Sequence, residues 1–182
     1  VDQVWLVDHP EIGEFAEDVQ ASLLAEILDR KKPEIFLGGG TILGRSLLPR
    51  VAVKLSTGLT ADCTELEIDD ETGFLKQTRP AFGGNIMATI LTKNHRPQMA
   101  TVRHKVMKAV EKIAGEPQGS IEKIDIEVPK PKIEVLEFVE EQGETVNLAD
   151  ADFIVSAGRG IKKKKNLALI EKLAKTVEGA VG

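Results

Sequence analysis

The first third of the chain alternates between short apolar runs and segments with helical periodicity. The run Val4–Val7 precedes apolar residues at helical spacing over 10–30, and the run Glu34–Leu37 precedes a second helical segment over 42–55. Parallel strands need such crossover connections, so this alternation is typical of a parallel sheet covered by helices. The opening therefore predicts an α/β fold with a Rossmann-like parallel sheet.

Capping residues set the expected limits of the two helices. Asp8 and Glu11 form a capping-box-like pair, so we expect the first helix to run from about Pro10 to Arg30. Thr41 follows three glycines and can cap the second helix through its hydroxyl oxygen.

From Leu59 the pattern changes to strands joined by short turns. We expect strands over Leu59–Asp69 and Phe74–Arg79, joined by a turn in which Gly73 takes a positive φ. The remaining expected elements are strands over 86–92, 99–103, 121–128 and 133–139 and a weak helix over 105–114. An antiparallel hairpin region is thus added to the parallel sheet.

A polar, acidic stretch over Glu140–Asn147 divides the chain. A strand over Phe153–Val155 and a helix over Asn166–Glu178 follow it, so we expect one domain over 1–147 and the start of another over 148–182. The chain opens directly on a strand, and the last strand–helix unit has no predicted parallel neighbour. Both domains are therefore expected to be incomplete.

Charge and composition exclude several classes of protein. The net charge is −5, and the aromatic residues are six Phe and one Trp, so we expect no nucleic-acid partner. A single cysteine, Cys63, excludes a disulfide framework within the chain and fits a reducing, cytoplasmic location. No apolar run approaches the roughly 18 residues of a transmembrane helix. The three histidines have unrelated spacings, so no metal site is expected.

Three glycine-containing segments follow predicted strands. Gly38–Thr41 is either an anion-binding helix start or a tight turn that lets the helix approach the sheet. Thr78–Asn85 is either a ligand loop with the fixed charge of Arg79 beside it or a bulged hairpin with a surface arginine. Ser156–Gly160 lies where cofactors bind in open α/β sheets. Cys63 has no basic neighbour in sequence, which favours a buried small residue over a nucleophile.

Four segments of the chain resemble, in this order, the alpha subunit of electron transfer flavoproteins. They are Thr57–Cys63, Thr78–Asn85, Asn94–Arg103 and Val155–Gly160. The resemblance covers essentially the whole chain, and four ordered matches make chance similarity improbable.

The resemblance implies a heterodimer of alpha and beta subunits that uses FAD to carry electrons between an acceptor and acyl-CoA dehydrogenases or similar flavin dehydrogenases. It implies that 1–147 is most of the domain that packs on the beta subunit, and that 148–182 is the start of a doubly wound FAD-binding domain. Gly158, Arg159 and Gly160 are then candidate cofactor-binding residues, while most FAD contacts of the family lie outside this chain.

A bifurcating subgroup of this family carries a second FAD beside an NAD site in its beta subunit. The sequence of Thr78–Asn85 resembles bacterial and bifurcating members more than it resembles the simple mitochondrial type. By analogy Arg79 reaches that second flavin, where a fixed cation stabilises the reduced, anionic ring. Gly83 and Gly84 leave room for a ring, and Asn85 belongs to the same cofactor-binding loop.

Two other classes of function stay open on the residues alone. The strand–glycine–helix opening also fits a non-redox module that binds adenine nucleotides, and the chain alone also fits a structural interaction domain. Flavin absorption of the complete heterodimer discriminates between them.

Overall fold

A computed structural model describes most of the chain. The described residues are 2–13, 16–81, 85–110, 119–137, 139, 148 and 151–182. The chain forms two compact units, Val1–Val135 and Leu136–Gly182. Each unit is described separately below.

The first unit combines parallel and antiparallel sheets with two helices. Its elements are β1 (Gln3–Leu6), α1 (Glu17–Lys31), β2 (Ile35–Gly39), α2 (Ile42–Lys54), β3 (Leu59–Cys63), β4 (Glu65–Ile68), β5 (Leu75–Pro80), β6 (Met87–Ile90), β7 (Gln98–Val102) and β8 (Ser120–Lys123). The order β2-β7-β3 is parallel, β4-β5-β6 is antiparallel, and β1 pairs with β8 in parallel. The predicted α/β fold with an added hairpin region is confirmed.

Helices α1 and α2 pack together over the sheet that contains β7. Leu28, Leu48, Val51 and Met99 are among the buried residues of this core. Burying a side chain of this size stabilises the fold by about 1.5–3 kcal/mol. Both helices thus bury apolar residues that the periodicity predicts to face the core.

The start of α2 follows the prediction closely. Thr41 is its N-cap, and the Thr41 side chain accepts a hydrogen bond from the Gly44 amide at 3.1 Å. A Cβ on Gly44 would lie 1.9 Å from the Gly39 carbonyl oxygen. Only glycine therefore lets α2 approach the end of β2 this closely.

The first helix begins later than the sequence pattern predicts. It starts at Glu17 instead of Pro10, and its N-cap, Ala16, makes no side-chain hydrogen bond. The Ile12 amide donates to the His9 carbonyl at 3.0 Å, which closes a turn instead of a helix. A competing local turn thus overrides the expected capping box.

The predicted long strand over Leu59–Asp69 is wrong in one respect. It divides into β3 and β4, which belong to different sheets. Asp62 has a left-handed φ of 64°, and the pairing of β3 with β7 is irregular there. The hairpin between β4 and β5 is confirmed, with Gly73 at a φ of 68°.

Three weaker expectations are wrong where residues are described. Residues 105–110 are not helical, and 133–137 and 139 are not in strands. The strand expected over 121–128 is limited to β8. Lys105 has a φ of 57°, which interrupts an α-helix.

The second unit is a small β-α-β arrangement. It consists of β9 (Ile154–Val155), α3 (Leu167–Thr176) and β10 (Ala180–Val181), and β10 pairs in parallel with β9. The expectation that this strand–helix unit lacks a parallel neighbour is wrong, because a two-residue strand is too short to show a pattern. The acidic stretch over 140–147 lies outside the described residues.

Within the described ranges, no helix has both the length and the apolar character that a bilayer span requires.

Gly44→Ala should destabilise the first unit by about 3 kcal/mol, because the added methyl group overlaps the Gly39 carbonyl. Denaturant unfolding followed by the fluorescence of Trp5, the single tryptophan, measures this loss. Gly13→Ala is the control, since its Cβ would meet nothing within 4 Å. Equal stability of the two variants would contradict the assigned close approach.

Candidate functional site

The candidate site lies at the carboxyl edge of the parallel sheet β2-β7-β3. Gly39 and Cys63 both lie opposite Val102, so the three strands end at the same level. The Gly40 amide donates to the Val102 carbonyl at 2.6 Å, and the Arg103 amide donates to the Cys63 carbonyl at 2.9 Å. Open α/β sheets bind ligands at this edge.

Asp62 is held in place from several directions. Its amide donates to Thr101 Oγ1 at 2.8 Å, and the Thr101 side chain is fully buried. Arg103 donates a bidentate pair of hydrogen bonds to the Asp62 carboxylate, with Nε 3.1 Å from Oδ1 and Nη2 2.6 Å from Oδ2. Arg45 Nη2 lies 3.5 Å from Oδ1. The Asp62 carboxylate therefore joins α2, β3 and the residue after β7.

The surrounding arginines keep Asp62 ionised. The hydrogen bond from Arg103 is the main reason that the pKa of Asp62 lies below its ordinary value, and the charges of Arg45 and Arg79 act in the same direction. The same hydrogen bond raises the pKa of Arg103. One carboxylate thus faces three guanidinium groups, which leaves this edge positively charged.

Cys63 is fully buried beside this cluster, as predicted, and its Sγ lies 3.5 Å from the Thr60 carbonyl oxygen. Burial is the main reason that the pKa of this thiol is raised. A buried, protonated thiol is a poor nucleophile.

Arg79 lies near the end of β5, opposite Ala88 of β6. Its Nε donates to the Pro80 carbonyl at 3.3 Å, and its side chain is half-buried. Within the described part of the chain, no carboxylate lies within ion-pair distance of it. Most of the five N–H donors of Arg79 are therefore available to a ligand or to a partner protein.

The pairing of β5 with β6 continues one step past the two strands. The Ala81 amide donates to the Ile86 carbonyl at 2.7 Å, and Asn85 is exposed beside this pair. Gly83 and Gly84 lie outside the described residues. Arg79 and Asn85 thus belong to the same end of one hairpin.

The glycines before α2 favour the structural reading of Gly38–Thr41. Thr41 already accepts a bond from Gly44, and the Gly40 amide is bonded to β7. These two amides are therefore not free to bind an anion.

Gly158, Arg159 and Gly160 lie in the second unit, after the carboxyl end of β9. The Ala157 amide donates to the Gly182 carbonyl at 3.1 Å, and Arg159–Ile161 form one 3₁₀ turn. All three candidate residues are exposed, and a Cβ on either glycine would meet nothing within 4 Å. The space above this turn is open among the described residues.

Sequence reasoning missed Asp62, Arg45 and Arg103 as site residues. The sequence pattern gave no signal for Asp62, which falls inside the expected strand over Leu59–Asp69, and only a weak one for Arg103, which ends the expected strand over 99–103. Arg45 carries no such signal, since its position depends on the packing of α2. No group of three or more metal-binding side chains occurs among the residues that the structure describes.

The stability that Asp62 contributes should depend on pH. Its folded-state pKa is lowered, so this stability is present above the unfolded value of about 3.9 and is lost as pH falls through the folded pKa. We expect Asp62→Asn to lose about 2 kcal/mol at pH 7 and to converge with the wild type on acidification. Denaturant unfolding between pH 7 and 2 measures this. Asp29→Asn, at an exposed position of α1, is the control and should match the stability of the wild type at pH 7.

Two family models match the chain, one on each side of the acidic stretch. The model described as "Electron transfer flavoprotein domain" matches residues 1–129. The model described as "Electron transfer flavoprotein FAD-binding domain" matches residues 147–182.

Curated relatives agree over the length of the chain. The "Lactate dehydrogenase (NAD(+),ferredoxin) subunit LctC" of Acetobacterium woodii is 45% identical over 183 residues, which cover 100% of this chain and 43% of that protein. The "Electron transfer flavoprotein subunit alpha" of Thermoanaerobacterium thermosaccharolyticum is 45% identical over 184 residues, covering 100% and 55%. The "Acryloyl-CoA reductase electron transfer subunit beta" of Anaerotignum propionicum is 40% identical over 210 residues, covering 100% and 57%.

The chain spans about half the length of these relatives. The first family model alone covers more than half of the chain. The chain therefore belongs to the electron transfer flavoprotein family and corresponds to its alpha subunit.

Proposed function

We propose that this chain is the part of an electron transfer flavoprotein alpha subunit that presents a fixed positive charge to a flavin. The observation that carries the proposal is the placement of Arg79, which lies beside an arginine-rich sheet edge without a carboxylate partner among the described residues. The family supplies the second support, since Arg79 lies in the part of the chain that matches the electron transfer flavoprotein domain.

Arg79 suits the stabilisation of a reduced flavin ring. A guanidinium stays protonated at all physiological pH values and offers planar donors. Asp62 is already engaged by Arg103, so it does not neutralise Arg79 by direct pairing. A bound flavin supplies the reversible acceptance of electrons, and Arg79 supplies the charge that favours the electron-rich state.

The loop around Arg79 and the turn after β9 are two separate regions that we propose contact cofactor. Gly83, Gly84 and Asn85 follow Arg79 closely in the sequence, and small residues let a ring approach the backbone. Gly158, Arg159 and Gly160 lie below open space at a carboxyl sheet edge, which fits part of an FAD site.

The proposed domain boundary stays at residues 147 and 148. The second family match begins at 147, and the acidic stretch precedes it. We assign 1–147 to the domain that packs on a beta subunit and 148–182 to the start of the FAD-binding domain. A cytoplasmic location is part of the proposal and is supported by the single cysteine.

The partners are a beta subunit and a flavin dehydrogenase that acts on an acyl-CoA or a similar substrate. The relatives support this choice, since one is named a subunit of a lactate dehydrogenase that uses NAD(+) and ferredoxin, and another an electron transfer subunit of acryloyl-CoA reductase. The first of these names also supports the bifurcating type, with a second FAD and an NAD site in the beta subunit.

The flavin content of the full-length alpha–beta complex tests this function. We expect two FAD per heterodimer, with reduction by NADH in an anaerobic titration. One FAD that NADH does not reduce would indicate a simple carrier and leave Arg79 as interface structure. A complex without flavin would contradict the redox function and favour a nucleotide-binding or structural role.

Arg79→Ala in that complex should lower the two-electron potential of the nearby flavin. A hydrogen bond to a charged group is worth about 1.5–3 kcal/mol, which corresponds to roughly 30–60 mV for two electrons. Spectroelectrochemical titration measures the shift. Arg30→Ala, an exposed arginine of α1 paired with Glu26, is the matched control and should leave the potential unchanged.

A further inference from the structure

Three arginines from three different elements surround Asp62, and we call Arg45, Arg79 and Arg103 the arginine cluster. Arg45 comes from α2, Arg79 from β5, and Arg103 follows β7. Direct contacts to the carboxylate come from Arg103 at 2.6 and 3.1 Å and from Arg45 at 3.5 Å. Arg79 is the member of the cluster without such a contact.

Asp62 is too firmly held to turn toward Arg79. Both of its oxygens accept from Arg103, its amide donates to Thr101, and its side chain is only 21% exposed. Its left-handed φ of 64° fixes the direction in which the side chain leaves the backbone. The carboxylate is therefore a stationary negative charge.

Asp62 and Arg79 both lie close to the point where the chain leaves β3 and begins to pair with β5. The Thr64 amide donates to the Thr78 carbonyl at 2.9 Å, two residues after Asp62 and one before Arg79. Cys63 follows Asp62 directly; burial is the main reason that the pKa of its thiol is raised, and the nearby charges of Arg79 and Asp62 lower and raise that pKa respectively. The two charges therefore act on a shared, largely buried region.

We propose that Asp62 is a positioning residue that sets how much positive charge Arg79 presents to an anionic flavin ring. Its charge reduces the field of the arginine cluster, while Arg103 keeps both carboxylate oxygens occupied so that Arg79 does not pair with Asp62. This inference rests on the proposed contact between Arg79 and a flavin. It assigns control of the reduction potential of that flavin to residues that do not touch the flavin.

Two substitutions should then shift the flavin potential in opposite directions. Asp62→Asn removes the negative charge, and asparagine tolerates a left-handed backbone, so the potential should rise. Arg103→Met removes the main partner of the Asp62 carboxylate, so more of its negative charge acts on Arg79 and the potential should fall. Simple loosening of the site would move both variants the same way.

The experiment uses the full-length alpha–beta complex loaded with FAD and measures the flavin potential of each variant, with thermal unfolding of the same samples. Each substitution is also made in the Arg79→Ala background, where neither should shift the potential further, since coupled residues are not additive. Arg30→Ala is the unshifted control. If Asp62→Asn does not assemble, Asp62→Gly replaces it, since glycine also adopts a left-handed φ, with an expected rise that Arg79→Ala abolishes.

The outcomes separate the two proposals. If Arg79→Ala shifts the potential but the Asp62 and Arg103 variants do not move it in opposite directions, the tuning by Asp62 is overturned and the role of Arg79 stands. If Arg79→Ala leaves the potential unchanged, the proposed contact between Arg79 and the flavin is wrong. If the opposite shifts persist in the Arg79→Ala background, Asp62 does not act through Arg79. No shift in any variant overturns both.

Discussion

The hydrogen bonding of β7 on both of its edges is the constraint on which the rest of the first unit depends. Four of its residues, Gln98–Thr101, are almost completely buried, and two of them are polar. Each polar side chain holds a neighbouring backbone: Gln98 Oε1 accepts from the Leu75 amide at 2.8 Å, and Thr101 Oγ1 accepts from the Asp62 amide. The strand thus fixes the start of β5 at one end and the end of β3 at the other.

This arrangement concentrates positive charge at one edge of an acidic protein. The whole chain carries a net charge of −5, yet the carboxylate at the carboxyl ends of the parallel strands is contacted by Arg103 and Arg45 and is also affected by the charge of Arg79. Interactions between charges are strongest where water is partly excluded, and Asp62 and Arg79 are both partly buried. The local field at this edge therefore has the opposite sign to the net charge.

The elements predicted correctly are those with a local cause. Thr41 caps α2 through its own side chain, and Gly73 supplies the left-handed residue of the β4–β5 turn. The break between β3 and β4 has a non-local cause, since the backbone of Asp62 is held by Thr101, 39 residues away. A continuous strand pattern over this region therefore conceals the change of sheet.

The same distinction applies to the candidate site. Arg79 could be singled out because proline and glycine follow it in the loop, and Gly158–Gly160 because they follow a strand. Asp62 falls inside one expected strand and Arg103 at the end of another, and only the parallel pairing of β3 with β7 brings them together. The place of Asp62 and Arg103 in the candidate site follows from the order of the strands in the sheet, which a local sequence pattern does not specify.

The turn at Asp62 combines a backbone requirement with an electrostatic one. The chain must leave the parallel sheet there and enter the antiparallel one, which needs a left-handed residue that glycine, asparagine or aspartate can provide. Glycine or asparagine would satisfy the backbone without supplying a charge to Arg103 and Arg45. Aspartate satisfies both requirements, so the residue that redirects the chain is also the one that organises the arginines around the candidate site.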